Sequence, residues 1–180
     1  MRIPFFFLAL ALFSISVNAD LDKAMISEWA SIDDSVMGGL SQSSMREEEG
    51  KYVFSGNVSL QNNGGFASVR SGVRLSNVSD DATVYIKVKG DGRKYQLRFR
   101  MRDDFDGVSY TVAFKTTKDH EIERTFRLQD FIPVWRGKRV SHAPSLRWQD
   151  VNQIGFMVTD KQQGQFRLEV NEVNWLNGSS

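Results

Sequence analysis

The sequence of 180 residues contains no cysteine. Disulfides, thiolate metal sites, thiol nucleophiles and a lipid-modified cysteine are therefore excluded, and the fold must hold by packing alone. Histidine is nearly as scarce, with His120 and His142 in polar stretches that lack His-x-x-x-His spacing. No Gly-x-Ser-x-Gly elbow occurs either, so neither a histidine-rich zinc site nor a Ser-His-Asp triad is legible. Beyond residue 17 no apolar run approaches the roughly 20 residues that cross a bilayer. An excess of one charge is missing too: setting aside Arg2 leaves 22 basic against 22 acidic residues. A nucleic-acid partner would call for a strongly basic domain, and none is present.

The N-terminus carries the clearest signal. Arg2 precedes an apolar run from Ile3 to Val17, and Val17-Asn18-Ala19 supplies a cleavage-like ending before charges begin at Asp20. This three-part pattern predicts a secretory signal peptide over residues 1–19 and a secreted or periplasmic product. The uniform apolarity and single Arg argue against an Arg-rich mitochondrial presequence. Removing nineteen residues from 180 leaves 161, enough for one domain, residues 20–180, that buries about 70% of its unfolded surface.

From Tyr52 onward, apolar residues recur with period two. Val84, Ile86 and Val88 alternate with Tyr85, Lys87 and Lys89; Tyr95, Leu97, Phe99 and Met101 alternate with Gln96, Arg98, Arg100 and Arg102. Tyr110, Val112 and Phe114 repeat the pattern, as do Phe126 with Leu128, and Phe166, Leu168 and Val170. Such alternation predicts half-buried strands. Glycine- and asparagine-rich turns separate them, including 62–65, 90–92, 103–107 and 162–164, and many short strands at this spacing predict a β-sandwich or barrel. Helix is expected only over 20–29 and in a turn near Asp150. Pro133 and Pro144 bracket a segment expected to be irregular, because proline cannot donate to a central ladder.

Several motifs have two physical readings. Asp33-Asp34-Ser35-Val36-Met37-Gly38-Gly39 sets two carboxylates before a glycine pair, suiting either metal or polar-ligand contacts or a turn whose side chains cap nearby amides. Asn63-Gly64-Gly65-Phe66 lets the backbone turn and then presents an aromatic ring, a core candidate. Gly90-Asp91-Gly92 lacks the third glycine of a dinucleotide fingerprint and reads as a hairpin turn. Arg98, Arg100 and Arg102 with Lys87 and Lys89 form a basic row that suits either an anionic ligand or, as the favoured reading, cross-strand pairing with Glu121 and Glu123. Paired carboxylates at glycosidase separation are not something a sequence shows, and no nucleophile, base and orienting group stand together. Sequons at Asn57, Asn77 and Asn177 would accept glycans in a eukaryotic secretory pathway.

Taken together, Asp33 to Gly39 with Ser41, Phe54 to Leu60, Asn63 to Ser71, Lys89 to Tyr95, Phe131 to Val140 and Gly155 to Val170 resemble the NADH:ubiquinone oxidoreductase (complex I) intermediate-associated proteins, whose domain is related to galactose-binding-like carbohydrate modules. The resemblance implies an all-β jelly-roll sandwich, a single domain, no cofactor, no metal and no catalysis. It implies assembly assistance through a protein partner, with carbohydrate binding at the cell envelope as the alternative. Asp33, Asp34, Asn62, Asn63, Arg70, Asp91 and Arg136 are expected to gather into one loop surface. Arg70 and Arg136 are expected to reach Asp33, Asp34 or Asp91. Trp135 and Trp148 are candidates either for stacking on sugar rings or for packing.

Overall fold

A computed structural model describes residues 25–102 and 106–178. The signal peptide expected over 1–19, residues 20–24 of the expected helix and part of the expected turn at 103–107 lie outside the described residues. Thirteen strands run in order: β1 (Met25–Ile26), β2 (Ala30–Ser31), β3 (Gln42–Glu48), β4 (Lys51–Val58), β5 (Ala67–Arg74), β6 (Thr83–Gly90), β7 (Lys94–Arg100), β8 (Ser109–Lys115), β9 (Glu121–Phe126), β10 (Ile132–Trp135), β11 (Lys138–Arg139), β12 (Gln153–Val158) and β13 (Gly164–Leu176). They form two antiparallel sheets, one ordered β1-β5-β12-β7-β8-β10-β11 with β2 also on β5, the other β3-β4-β13-β6-β9. Of the sandwich or barrel that the alternation predicts, this is the sandwich, the jelly roll that the family resemblance implies.

The period-two runs explain the layering. Tyr95, Leu97 and Phe99 of one sheet and Val84, Ile86 and Val88 of the other are buried, while Gln96, Arg98 and Arg100 alternate outward. Between the sheets Phe99, Phe131, Trp148 and Trp175 meet edge-on or tilted at centroid distances of 5.2–6.0 Å. Burying such rings contributes about 1.5–3 kcal/mol each before entropy is counted. Trp148 is fully buried and donates its indole N–H to Ala82 O at 2.8 Å. Of its two expected readings, packing is the one observed.

Four expectations are corrected. Met25–Ile26 is a strand on Val73–Arg74 rather than part of a helix over 20–29; pairing with a sheet edge outweighs local propensity. Gly90-Asp91-Gly92 is no hairpin, since β6 and β7 belong to different sheets and the turn carries the chain between layers. Pro133 lies within β10, opposite Tyr110, tolerated because only the two-residue β11 lies beyond it. The basic row is split: Lys87 and Lys89 stand on one sheet, Arg98 and Arg100 on the other. Lys87 does pair across strands as expected, its Nζ lying 3.0 Å from Glu121 and 3.8 Å from Glu123.

Strand register also defines two ends. Ala67 lies opposite Val158, and Val158 opposite Tyr95, so loops 32–41, 61–66, 91–93 and 159–163 share the first end. Val134 lies opposite Ser109, which places residues 101–102, 106–108 and 136–137 at the second.

Candidate functional site

At the first end the two aspartates are internal. Asp33 is 6% exposed and Asp34 1%. Asp33 accepts from Ser43 N at 2.8 Å and Ser43 Oγ at 2.6 Å, on β3, and from Ser68 N at 2.9 Å, on β5. One carboxylate thereby ties the edge strand β3 of one sheet to β5 of the other. Asp34 accepts from Ser41 N at 2.9 Å, Ser41 Oγ at 2.5 Å, Gly65 N at 2.7 Å and Phe66 N at 3.2 Å. Burial pulls its carboxyl pKa upward, but the Ser41 hydroxyl and these backbone amides outweigh it and hold the pKa below the ordinary carboxylate value. The capping reading therefore describes both residues.

The glycines serve this latch. A Cβ on Gly64 would stand 2.6 Å from Ser59 O and 2.7 Å from Asp34 Oδ2. Left-handed backbone nearby falls on Gly38, at φ 89°, and also on Asn62, at φ 53°, and Asn63, at φ 59°, which asparagine tolerates. Phe66 is half-buried and stands outside the main core, so its expected core role is corrected; its amide, not its ring, makes the contact identified with Asp34.

What the latch presents is apolar. Val36, Met37, Leu40 and Leu60 are 55%, 70%, 51% and 37% exposed, four of the seven large hydrophobics so exposed among the described residues. They flank a single knot of bonds, because Ser59 N donates to Ser41 Oγ at 2.9 Å and Asn62 Nδ2 donates to Gly38 O at 3.2 Å. This apolar tip was missed in the sequence reading. The available signal was large apolar residues inside a glycine turn, where no strand alternation accounts for them.

The other expected site residues scatter. Asp91 accepts from Arg93 N at 3.1 Å, Tyr95 OH at 2.9 Å and Arg167 N at 3.1 Å, and lies 3.2 Å from Arg93 Nε, binding the inter-sheet turn to β7 and β13. Asn62 and Asn63 are exposed beside the tip. Arg70 sits mid-strand on β5, opposite Gly155. Trp135 and Arg136 are at the second end, so the expected single loop surface is not formed. Arg136 does not reach Asp33, Asp34 or Asp91; it donates from Nη2 to Asp106, and its guanidinium lies 5.0 Å from the Trp135 ring. Trp135 is 46% exposed and donates its indole N–H to Asp106 at 3.0 Å.

A third feature lies on the outer face of the larger sheet, where a small hollow of about 20 Å³, room for about one water, is lined by Ser68, Arg70, Arg98, Arg100, Gln153 and Gly155 together with Val69 and Ile154. Among the described residues, no group of three or more His, Cys, Asp or Glu is placed to hold a metal ion, and no helix is long and apolar enough to cross a membrane.

The family model of complex I intermediate-associated protein 30 (CIA30) matches residues 19–170. The chain belongs to the CIA30 family. A search of curated proteins finds no match. Solved structures share the fold of this CIA30 member at low identity. A family 11 carbohydrate-binding module from Clostridium thermocellum, in complex with a β-1,3-1,4-mixed-linked tetrasaccharide, superposes with a TM-score of 0.60 at 10% identity, over 86% of this chain and 96% of that one. The family 11 module of the cellulosomal cellulase Lic26A-Cel5E of the same organism gives 0.61 at 10% identity, over 88% and 92%. A family 30 carbohydrate-binding module gives 0.53 at 14% identity, over 88% and 96%. Family and fold together are those of binding or assembly-type proteins.

Proposed function

We propose that this CIA30-family protein is exported and acts, without catalysis, by docking a protein partner on the apolar tip of Val36, Met37, Leu40 and Leu60. The observation that carries this reading is the tip itself. Exposed apolar clusters of this kind mark interaction sites on soluble proteins, and the buried Asp34 carboxylate fixes the turn before any partner arrives, lowering the ordering cost of association. The family description, an intermediate-associated protein, supports assembly assistance, and the signal-peptide pattern over residues 1–19 supports its taking place in the cell envelope. A photo-crosslinking residue at position 37, applied in intact cells and followed by identification of the adduct, tests it. A discrete adduct, lost on adding Leu40→Ser and Leu60→Ser, is expected; no adduct, or an unchanged set of adducts, would overturn it. N-terminal sequencing of the mature protein tests export, with Asp20 as the expected first residue.

A second reading, carbohydrate recognition, is favoured by the half-exposed Trp135. The fold shared with carbohydrate-binding modules supports it. A glycan array read alongside tryptophan quenching tests it, and an array with no hit across broad polysaccharides retires it.

A further inference from the structure

With no cysteine in the chain, methionine thioethers are its most readily oxidised side chains. They are unequally placed. Met45 and Met101 are half-buried and pack against the core, and Met157 on β12 is half-buried with its Sδ 2.7 Å from Arg98 Nη1. Met37 stands instead on the apolar tip, 70% exposed, the highest value among the exposed large hydrophobics of the described residues. Oxidation follows access to the sulfur, so a peroxide in solution reaches Met37 ahead of these three.

The backbone that presents Met37 is set by its neighbours. Residues Asp34–Met37 form one short 3-10 turn, closed by Gly38 N donating to Ser35 O and Gly39 N donating to Asp34 O, each at 3.0 Å. A Cβ on Gly39 would collide with the Asp34 carboxylate, so the buried latch fixes where the turn ends. The Met37 side chain itself takes no part in the core. A change of chemistry at its sulfur therefore leaves the fold alone and alters only the surface that a partner meets.

The reaction is a two-electron oxygen transfer. The thioether sulfur attacks one peroxide oxygen, the O–O bond breaks as the S–O bond forms, and hydrogen peroxide leaves as water. A reductase dithiol reverses it, becoming a disulfide and releasing the oxygen as water. The sulfoxide is polar and accepts hydrogen bonds, yet Val36, Leu40 and Leu60 beside it carry no side-chain donor. Covering such a group with an apolar partner is unfavourable. We propose that Met37 is a redox modification site, at which oxidation by a peroxide in the cell envelope releases the partner from the apolar tip and reduction restores docking. The inference rests on the reading of the tip as a docking surface and names what regulates it.

The first test treats the full mature chain with hydrogen peroxide. Mass spectrometry of its peptides should find the added oxygen on Met37 before Met45, Met101 or Met157, with the urea melt unchanged at that stage; Met37 reacting no faster than the others would overturn the inference. The second places a photo-crosslinking residue at position 61, exposed beside Leu60, which keeps Met37 in place. A peroxide pulse to intact cells should lower the adduct yield at least about tenfold, and methionine sulfoxide reductase supplied to the permeabilised cells should restore it. Met37→Leu should hold its adduct through the pulse, and Met37→Gln, polar at a similar length, should lose the adduct with no peroxide added. An adduct that survives Met37 oxidation, survives Met37→Gln, or is lost equally in Met37→Leu would overturn the redox inference while leaving tip docking intact. Absence of any adduct before the pulse would overturn the docking reading and this inference with it.

Discussion

Asp34 and Ser41 hold each other twice: the Ser41 amide donates to Asp34 Oδ1 at 2.9 Å and its hydroxyl to Oδ2 at 2.5 Å. With Gly65 N on the same carboxylate, residues 31 positions apart are fastened through one side chain. Replacing Asp34 by Ala orphans buried donors, each charge-assisted bond being worth about 1.5–3 kcal/mol. A urea melt of Asp34→Ala should show a loss of roughly 3–5 kcal/mol.

The same carboxylate makes the fold acid-sensitive. Its pKa is lower folded than the ordinary 3.8, so its stabilisation is fully present above that value and drains away as pH falls through the folded pKa. Stability measured from pH 7 down to pH 2 should fall below about pH 4, and Asp34→Asn should flatten that part of the curve. An unchanged curve in the variant would place the acid response elsewhere.

Trp148 and Phe66 should separate sharply. Trp148 is fully enclosed among Phe99, Phe131 and Trp175, so Trp148→Ala should cost about 3–5 kcal/mol in a denaturant melt. Phe66 is only half-buried, and Phe66→Ala should cost roughly 1 kcal/mol.

Tryptophan emission should divide by position. Trp148 and Trp175 are buried, whereas Trp135 is 46% exposed. Trp135→Phe should remove most of the acrylamide-quenchable emission while leaving the blue-shifted component; retention of the quenchable part would contradict the placement of this ring.

The apolar tip should be energetically idle in the isolated protein. Met37→Ser with Leu40→Ser should alter unfolding free energy by less than about 0.5 kcal/mol per site, as solvent-exposed positions do. A large loss would mean that these side chains pack in solution.

Much of the layering was legible because side-chain alternation is a local property: Tyr95, Leu97 and Phe99 announce their buried face without reference to any partner. Sheet membership was not legible. Nothing within Gly90-Asp91-Gly92 reveals that the next strand joins the opposite layer, since that depends on where Tyr95 OH and Arg167 N find Asp91. The burial of Asp33 was hidden for the same reason: two of its donors come from Ser43, ten residues on, and another from Ser68, 35 residues on. Likewise Arg98 reads as one of three equivalent outward arginines until β12 sets Gly155 beside it.

Among the described residues the longest strand is also the last in chain order. Residues 164–176 form β13, the middle of the five-stranded sheet, pairing with β4 on one side and β6 on the other. Until those residues are available, β3-β4 and β6-β9 are separate ribbons with open edges, and the aromatic interior lacks Phe166 and Trp175. Closure of this sheet therefore waits on residues 164–176, with pairings made over long sequence separations and correspondingly slowly. A chain truncated before residue 164 would carry two unpaired edges exposed to association with other chains, so the late strand is also what protects the earlier ones.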